Sequence, residues 1–258
     1  MKACISTDLE GVGGIVSSEL QCYSTGKYND QAKKLLSAEV NAAVDGVLEA
    51  GVNEVLVIDG HGSGGICYED LHPAAKLMHG RPFPPMRERG EIIGQYDFAL
   101  MVGRHAMAGT EKAILDHTVR GKTVDYYQLN GKEIGENAID ALIFGRFGVP
   151  VIFLSGDDAA CREAELLIPE ITTVSTKQGL TRTCAISLSA QECRKRIREG
   201  VKSAVDAHQK SPVKPLIWDA PFTLRKRFFH TSYADAAGGK KIDPKTVEFY
   251  SEDIIDVL

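Results

Sequence analysis

The sequence lacks long apolar runs and any excess of positive charge. No stretch of about 18 consecutive apolar residues occurs, so no membrane-spanning helix is predicted. The first residues form a strand-like segment without the apolar region of a signal peptide. The 30 basic residues are outnumbered by 35 acidic ones, and the net charge of -5 gives no reason to expect nucleic acid or an anionic membrane as a partner. A small soluble substrate is the better expectation.

Closely spaced cysteines are also absent. The six cysteines are scattered along the chain, at positions 4, 22, 67, 161, 184 and 193. Because no Cys-x-x-Cys pair occurs, neither a zinc knuckle nor a disulfide framework is predicted. Reduced thiols and a cytoplasmic location are therefore expected.

The order of the segments predicts an α/β fold with a mostly parallel central sheet and flanking helices. Short apolar runs that resemble strands alternate with helical patterns, which is typical of this class. A helix is also expected after Asp157, which can cap its first turn. The main predicted strands cover residues 2–6, 54–58, 98–102 and 149–154, and the main predicted helices cover residues 30–50, 136–147 and 189–209.

The remaining strand signals predict a hairpin and a second sheet. Asn130-Gly131, between strand-like runs at 125–129 and 132–134, is a strong hairpin signal. Runs at 217–228 and 247–250 predict a second, smaller sheet in the C-terminal part. No repeat or linker interrupts the sequence, so a single domain over residues 1–258 is expected. The alternative is a subdivision near residue 185 with a C-terminal subdomain at 186–258.

Two carboxylates follow the first predicted strand directly, in Ser6-Thr7-Asp8-Leu9-Glu10-Gly11. Side chains two positions apart in an extended segment point the same way, so Asp8 and Glu10 place two negative charges on one side. A metal, an arginine or water is expected between them. The glycines at positions 11, 13 and 14 are expected to leave room for metals and for a substrate backbone. They do not complete the Gly-x-Gly-x-x-Gly pattern of a dinucleotide site.

Two histidines follow the second and third predicted strands, as Asp8 and Glu10 follow the first. His61 follows the second strand in Asp59-Gly60-His61-Gly62, and His105 follows the third in Gly103-Arg104-His105. A single histidine is more often an ordinary core or surface residue. Ligands of open α/β sheets, however, bind beyond the carboxyl ends of the strands, where Asp8, Glu10 and both histidines are expected to meet. Mixed carboxylate and imidazole ligands indicate zinc, with manganese or iron as competitors.

Two further residues are weaker candidates on local evidence. Glu136 begins the helix after the hairpin, where an acidic residue is also favoured without any further role. His117 stands in Leu115-Asp116-His117-Thr118, a segment with little periodicity.

Taken together, these motifs resemble the zinc-dependent D-aminopeptidase family, typified by an enzyme of a bacterial dipeptide-transport operon. The resemblance extends over most of the first 180 residues and weakens beyond about residue 185. Besides the site motifs, it includes Leu71-His72-Pro73 and Ser155-Gly156-Asp157-Asp158. The five elements that carry it, in chain order, are Ser6-x-Asp8-x-Glu10-Gly11, Asp59-Gly60-His61-Gly62, Gly103-x-His105-Ala106, His117 and Ile134-Gly135-Glu136.

The resemblance implies a binuclear metallo-aminopeptidase that removes the first residue of short peptides, with D-amino acids at that end. It implies two zinc ions per chain, with manganese or cobalt as substitutes, and a homo-oligomer in the form of a decameric ring. It also implies that His117 is the catalytic residue, acting in proton transfer or oxyanion stabilisation. The implied metal ligands are Asp8, Glu10, His61, His105 and Glu136, with Asp8 bridging the two ions.

Two departures from the family pattern affect the substrate region. The spacing from His105 to His117 is one residue longer, and Arg104 replaces an aromatic residue. Whether Arg104 and Arg120 bind a substrate carboxylate stays open. The alternatives are another metal-dependent hydrolase, such as an amide deacylase or phosphoesterase, and a non-catalytic metal- or peptide-binding protein, which would have no use for His117.

Overall fold

Strands and helices alternate along most of the chain in the computed structural model, which describes residues 1–258. The strands are β1 (Lys2–Thr7), β2 (Glu54–Asp59), β3 (Ala75–Met78), β4 (Phe98–Arg104), β5 (Val124–Leu129), β6 (Lys132–Ile134), β7 (Val151–Asp157), β8 (Thr172–Thr181), β9 (Cys184–Ser187), β10 (Phe222–Phe228), β11 (Lys240–Asp243) and β12 (Thr246–Ser251). The α-helices are α1 (Asn29–Glu49), α2 (Met86–Ile93), α3 (Glu136–Arg146), α4 (Asp158–Leu167), α5 (Ala190–Lys210) and α6 (Thr231–Ala236).

A seven-stranded sheet in the order β3-β2-β1-β4-β7-β8-β9 forms the centre of the molecule. All neighbours in it are parallel except β8 and β9, which pair antiparallel. Cys4 and Ile5 are adjacent on β1, point to opposite faces and are both fully buried, so both faces of the sheet are covered. The predicted α/β fold with a mostly parallel central sheet is therefore confirmed.

A smaller antiparallel sheet has the order β11-β12-β10-β5-β6. The hairpin that Asn130-Gly131 predicts joins β5 to β6, and both turn residues have positive φ, at 48° and 82°. The second sheet is thus confirmed, but it is not confined to the C-terminal part, because β10 pairs with β5. Strand β10 begins at Phe222 and not at residue 217, directly after Pro221, which has no backbone N–H for a sheet.

Segments on the two sides of residue 185 pack against each other. Helix α5 lies so close to α1 that a Cβ on Gly46 would come within 2.6 Å of the carbonyl oxygen of Arg198. The smaller sheet likewise joins β5 to strands from beyond residue 220. We therefore propose that residues 1–258 form one domain and are not divided near residue 185. No helix combines the length and apolarity that a membrane span requires.

Candidate metal centre and active site

The carboxyl ends of three neighbouring strands bring four of the predicted site residues together. Strand β1 lies between β2 and β4, with Thr7 opposite Asp59 on one side and Val102 on the other. The chain leaving β1 therefore carries Asp8 and Glu10 between His61, which follows β2, and His105, which follows β4. All four side chains are almost fully buried. The prediction that they meet at one edge of the sheet follows from the parallel register.

Asp8 lies at the centre of the group because its two carboxylate oxygens face different histidines. Oδ1 is 3.1 Å from Nδ1 of His61, and Oδ2 is 3.3 Å from Nε2 of His105. Glu10 completes the first side, with Oε2 at 3.2 Å from the same nitrogen of His61.

Glu136, the first residue of α3, completes the second side. Its Oε1 is 3.4 Å from Nε2 of His105 and 3.5 Å from Nε2 of His117. The two imidazole rings stack with their centres 4.0 Å apart. Thus all six predicted residues lie in one cluster, and two overlapping sets in it have every ligand atom within 4.8 Å of the others: Asp8, Glu10 and His105, and His105, His117 and Glu136.

In each of the three histidines, the ring nitrogen that points away from the carboxylates lies 2.9 Å from a backbone carbonyl oxygen. The partners of His61, His105 and His117 are the carbonyls of Cys22, Ala106 and Leu115. Because a carbonyl oxygen only accepts hydrogen bonds, the ring nitrogen that faces it must be the donor and must carry a proton. This hydrogen bond fixes the orientation of the ring and directs the other ring nitrogen at the carboxylates. Metal-bound histidines are commonly oriented in the same way, by a hydrogen bond from the nitrogen that does not bind the metal.

The electrostatics of the cluster favour positive charge beside its carboxylates. Burial lowers the pKa of His61, but Glu10 and Asp8 outweigh it and raise the pKa to about 11. Burial raises the pKa of Glu136, but the close contact with His105 and the charge of His105 outweigh it and lower the pKa to about 2. For Asp8, likewise, the contacts with His105 and His61 overcome burial and hold the pKa well below its usual range. The carboxylates are therefore anionic, and either protons on the histidines or a bound cation can balance their charge.

The distances in the cluster fit zinc. Tetrahedral zinc with ligands at about 2.0–2.2 Å places neighbouring ligand atoms about 3.4 Å apart. The four closest nitrogen–oxygen separations are 3.1, 3.2, 3.3 and 3.4 Å. Glu10 Oε2 and His105 Nε2 are buried and make no hydrogen bond, as expected of atoms that bind an ion. The residues present therefore suit a metal centre.

Comparison with known proteins agrees with this geometry. The family model described as D-aminopeptidase matches residues 1–258, the whole chain. The chain belongs to the D-aminopeptidase family. A D-aminopeptidase of Bacillus subtilis (strain 168) is 30% identical over 263 residues, covering 99% of this chain and 93% of the relative.

A solved structure of the same family has a very similar fold. The zinc-dependent D-aminopeptidase DppA from Bacillus subtilis, described as a self-compartmentalizing protease, matches with a TM-score of 0.90 and 29% identity, over 99% of this chain and 93% of that chain. The resemblance that the sequence motifs indicate is therefore confirmed. The match also extends past residue 185, where the sequence motifs of the D-aminopeptidase family are weak.

Two glycines of this D-aminopeptidase chain allow the backbone to close tightly around the cluster. A Cβ on Gly11 would lie 1.8 Å from the carbonyl oxygen of Arg104, and one on Gly103 would lie 2.0 Å from that of Asp8. The loop after β1 pairs with the end of β4, through bonds from Asp8 N to Val102 O and Gly11 N to Gly103 O. Both glycines therefore leave room for the chain's own backbone, whereas the sequence predicted that Gly11 leaves room for metals and substrate.

The replacement Gly103→Ala should lower the free energy of unfolding by about 3 kcal/mol. Its φ of +78° disfavours a side chain by about 1–2 kcal/mol, and the contact with Asp8 adds about 1–3 kcal/mol. Gly62→Ala is the control, because a Cβ there meets nothing within 4 Å, and its change should stay within about 0.5 kcal/mol. Urea denaturation of the metal-depleted variants measures both. Equal stability of the two would contradict the packing described.

Lys177 forms hydrogen bonds with the loop after β1. Nothing in the sequence around it indicates this role. It stands in the polar strand β8 and is only 2% exposed. Its Nζ donates to the carbonyl oxygens of Glu10, Val12 and Ile15 at 2.6, 2.9 and 2.6 Å. Burial lowers its pKa to about 8, partly offset by the charges of Asp157 and Glu39. The contacts of Lys177 cannot be predicted from the sequence, because only the fold brings β8 next to the loop.

Two cavities border the cluster and share Asp8 and Glu136. The larger, of about 770 Å³, is lined mainly by polar residues and includes His61, His117 and Arg120. The smaller, of about 320 Å³, is lined by ten apolar residues out of eighteen and includes Arg104. The cluster is thus reached from solvent through a wide polar opening, with a narrower, more apolar compartment beside it.

Proposed function

We propose that this chain is a zinc-dependent aminopeptidase that hydrolyses the amino-terminal peptide bond of short peptides beginning with a D-amino acid. Membership of the D-aminopeptidase family supports the reaction and the stereochemistry. The observation that carries the proposal is the placement of Asp8, with one oxygen facing His61 and the other facing His105. One carboxylate directed at two separate ligand groups is the arrangement that a bridged metal pair requires.

In this proposal each half of the cluster holds one zinc ion. Asp8, Glu10 and His61 would hold the first, and Asp8, His105 and Glu136 would hold the second, with manganese or cobalt as replacements. When bound, such a pair polarises the scissile carbonyl and makes a water nucleophilic near neutral pH. The carbonyls behind His61 and His105 keep the ring nitrogens on their targets, so the site is organised before substrate arrives.

His117 is assigned the proton transfer. Its Nδ1–H is fixed on the carbonyl of Leu115, which leaves Nε2 free to face the reaction. His117 lines the larger cavity and its side chain is 19% exposed, so a substrate can reach it. Nε2 can take the proton released by the attacking water and deliver it to the leaving amine. Glu136 Oε1, at 3.5 Å, stabilises the ring while it holds the extra proton.

A homo-oligomeric, decameric ring and a cytoplasmic location complete the proposal. The Bacillus subtilis structure is described as self-compartmentalizing, which supports assembly of several copies. Of the aromatic residues near the C-terminal part, Phe222 and Phe228 are core residues, whereas Phe229 and Tyr233 are exposed and available for an interface. Six unpaired cysteines are consistent with a reducing compartment. Sedimentation of the purified chain as a 28.0 kDa monomer would contradict the assembly.

A matched library of D- and L-amino-terminal dipeptides tests the activity. We expect release of free amino acid from the D-series at a kcat/KM at least about tenfold above the L-series. EDTA should abolish the hydrolysis and zinc should restore it, because the proposed nucleophile depends on the metal. Preference for the L-series would contradict the stereochemistry. Hydrolysis of phosphate esters or acylated amines, but of no dipeptide, would instead assign a different metal-dependent hydrolase.

A further inference from the structure

The smaller cavity beside the cluster combines apolar walls with an unusual number of arginines. Its walls include Phe83, Met86, Ile93, Ile139 and Phe144, and its border with the cluster is formed by Asp8 and Glu136. Three arginines line it as well: Arg81, Arg89 and Arg104. Apolar cavities of this kind hold a ligand's carbon skeleton, while a few charged groups determine which ligand is accepted.

Two of the three arginines are engaged with the protein itself. Arg104 pairs with Asp140 at 3.0 Å and donates from Nε to Asn137, although its buried Nη2 has no hydrogen-bond partner. Arg81 donates to the backbone carbonyls of Asp59, Gly60 and His61, so it contacts no anion although its charge remains.

Arg89 has the most unused hydrogen-bonding capacity of the three arginines. Its one hydrogen bond is from Nη2 to the sulfur of Met86, and it forms no ion pair. Arg89 and Arg81 both lie near Phe83, with their guanidinium carbons 5.0 and 3.9 Å from the ring centre. Burial and the charge of Arg81 lower the pKa of Arg89, while Asp140 counteracts them only partly. The positive charge of this half-buried group is therefore incompletely compensated.

The charges around the cavity leave an excess of positive charge. Asp140 is the one carboxylate in the lining besides Asp8 and Glu136, whose charges belong to the proposed metal centre. Arg81 is exposed, so solvent partly screens its charge, but the buried Arg104 and the half-buried Arg89 still face a single remaining carboxylate side chain. A guanidinium in a partly desolvated cavity binds a carboxylate through paired, charge-assisted hydrogen bonds that are stronger than those in water.

The larger cavity is less suited to hold an anion. Only three of its nineteen lining residues are apolar, and Arg182 is paired with Asp116 at 2.8 Å. Arg120 and Lys122 have no carboxylate partner, but both are exposed, so water and salt screen their charges.

We propose that the smaller cavity is the subsite for a carboxylate group of the peptide substrate, bound by Arg89 in the field of Arg81 and Arg104. This inference rests on the proposed aminopeptidase function and narrows it to a substrate class. The carboxylate has two sources in a short peptide: the free C-terminus of a dipeptide, or an acidic side chain on the residue that is removed. The apolar walls then contact the carbon atoms that connect the carboxylate to the scissile bond.

Four substrates separate the two sources. D-alanylglycine and D-alanylglycinamide differ only in the C-terminal charge, whereas D-glutamylglycinamide and D-glutaminylglycinamide differ only in the charge of the first side chain. Wild-type enzyme should prefer the carboxylate member of one pair by at least about tenfold in kcat/KM, because a hydrogen bond to a charged group contributes about 1.5–3 kcal/mol. A preference in the first pair assigns the C-terminus, and one in the second pair assigns the side chain.

Arg89→Met should remove this preference, so that the ratio of kcat/KM for the carboxylate peptide to kcat/KM for its amide falls to within about twofold of one. Arg196→Met is the matched control, because it removes an arginine of α5 that pairs with Glu192 on the surface, and it should keep the preference. Arg120→Met tests the larger cavity. The inference is overturned if wild type shows no preference in either pair, if the preference survives in Arg89→Met, or if Arg120→Met alone abolishes it.

The proposed function and this inference fail in distinguishable ways. Hydrolysis of the two neutral amides without any carboxylate preference contradicts only the subsite. If the zinc-loaded wild type hydrolyses none of the four peptides, the aminopeptidase function fails, and calorimetric titration with the same peptides still tests the cavity. The subsite is supported if one carboxylate peptide binds at least about tenfold more tightly than its amide and if Arg89→Met loses this difference. Equal binding overturns it.

Discussion

Asp8→Asn should lose bound zinc and peptidase activity together, with kcat/KM falling by at least about 100-fold. An asparagine side chain has one carbonyl oxygen and one NH2 group, so it can face only one of the two histidines with a ligand atom. The NH2 group directed at the other histidine cannot bind a cation, and the site loses one negative charge. Even residues that only support metal ligands contribute about 10–100-fold, so a shared ligand should contribute more.

The matched control for this change is Asp206→Asn. It makes the same substitution on the surface of α5, where Asp206 pairs with Lys202 four residues away, and it should leave zinc content and rate unchanged. Elemental analysis and hydrolysis of a D-amino-terminal dipeptide are measured on the same preparations. If Asp8→Asn retains its zinc and its rate, Asp8 does not bridge a metal pair.

His117→Ala should have the opposite pattern, with both zinc ions retained and kcat reduced by roughly 100-fold or more. This is the usual effect of removing a general acid or base. The ligand set proposed for the ions does not include His117, and its ring is more exposed than those of His61 and His105. The fold should tolerate the change, since the ring contacts mainly His105 and the carbonyl of Leu115.

Geometry alone allows His117 a different role, which makes the metal content of this variant informative. Its Nε2 shares Glu136 Oε1 with His105, so the three residues could hold an ion between them. Loss of one zinc equivalent in His117→Ala would make His117 a ligand. A wild-type rate would remove it from the reaction. His79→Ala, which changes a histidine that stacks on Tyr68, is the control for the loss of an imidazole.

The parts of the site on strand ends could be predicted from the sequence. Parallel strands buried on both faces are nearly continuous apolar runs, so β1, β2 and β4 are visible in the sequence and their ends are well defined. Asp8, His61 and His105 stand directly at these ends, and the rule that ligands bind there places them together. Glu136 and His117 needed the family resemblance, because the segments that carry them fold back onto the site through long-range packing.

Other parts of the fold could not be predicted because their signals are weak or nonlocal. The edge strand β3 has only four residues and includes Lys76, so it shows little apolar pattern. Strand β8 contains Lys177 among threonine and serine residues, and only the completed sheet shows that this lysine is buried. The arginines of the smaller cavity come from three separate places in the sequence. Nothing in the local sequence indicates that Arg81, Arg89 and Arg104 line one compartment.

The zinc content at which activity appears tests the central claim most directly. Metal-depleted protein is titrated with zinc, and bound zinc per chain is measured together with the rate on a D-amino-terminal dipeptide. If Asp8, Glu10, His61, His105 and Glu136 hold a bridged pair, the rate should reach its plateau at two zinc ions per chain. A plateau at one ion per chain, or full activity without bound metal, would contradict a binuclear centre at these residues.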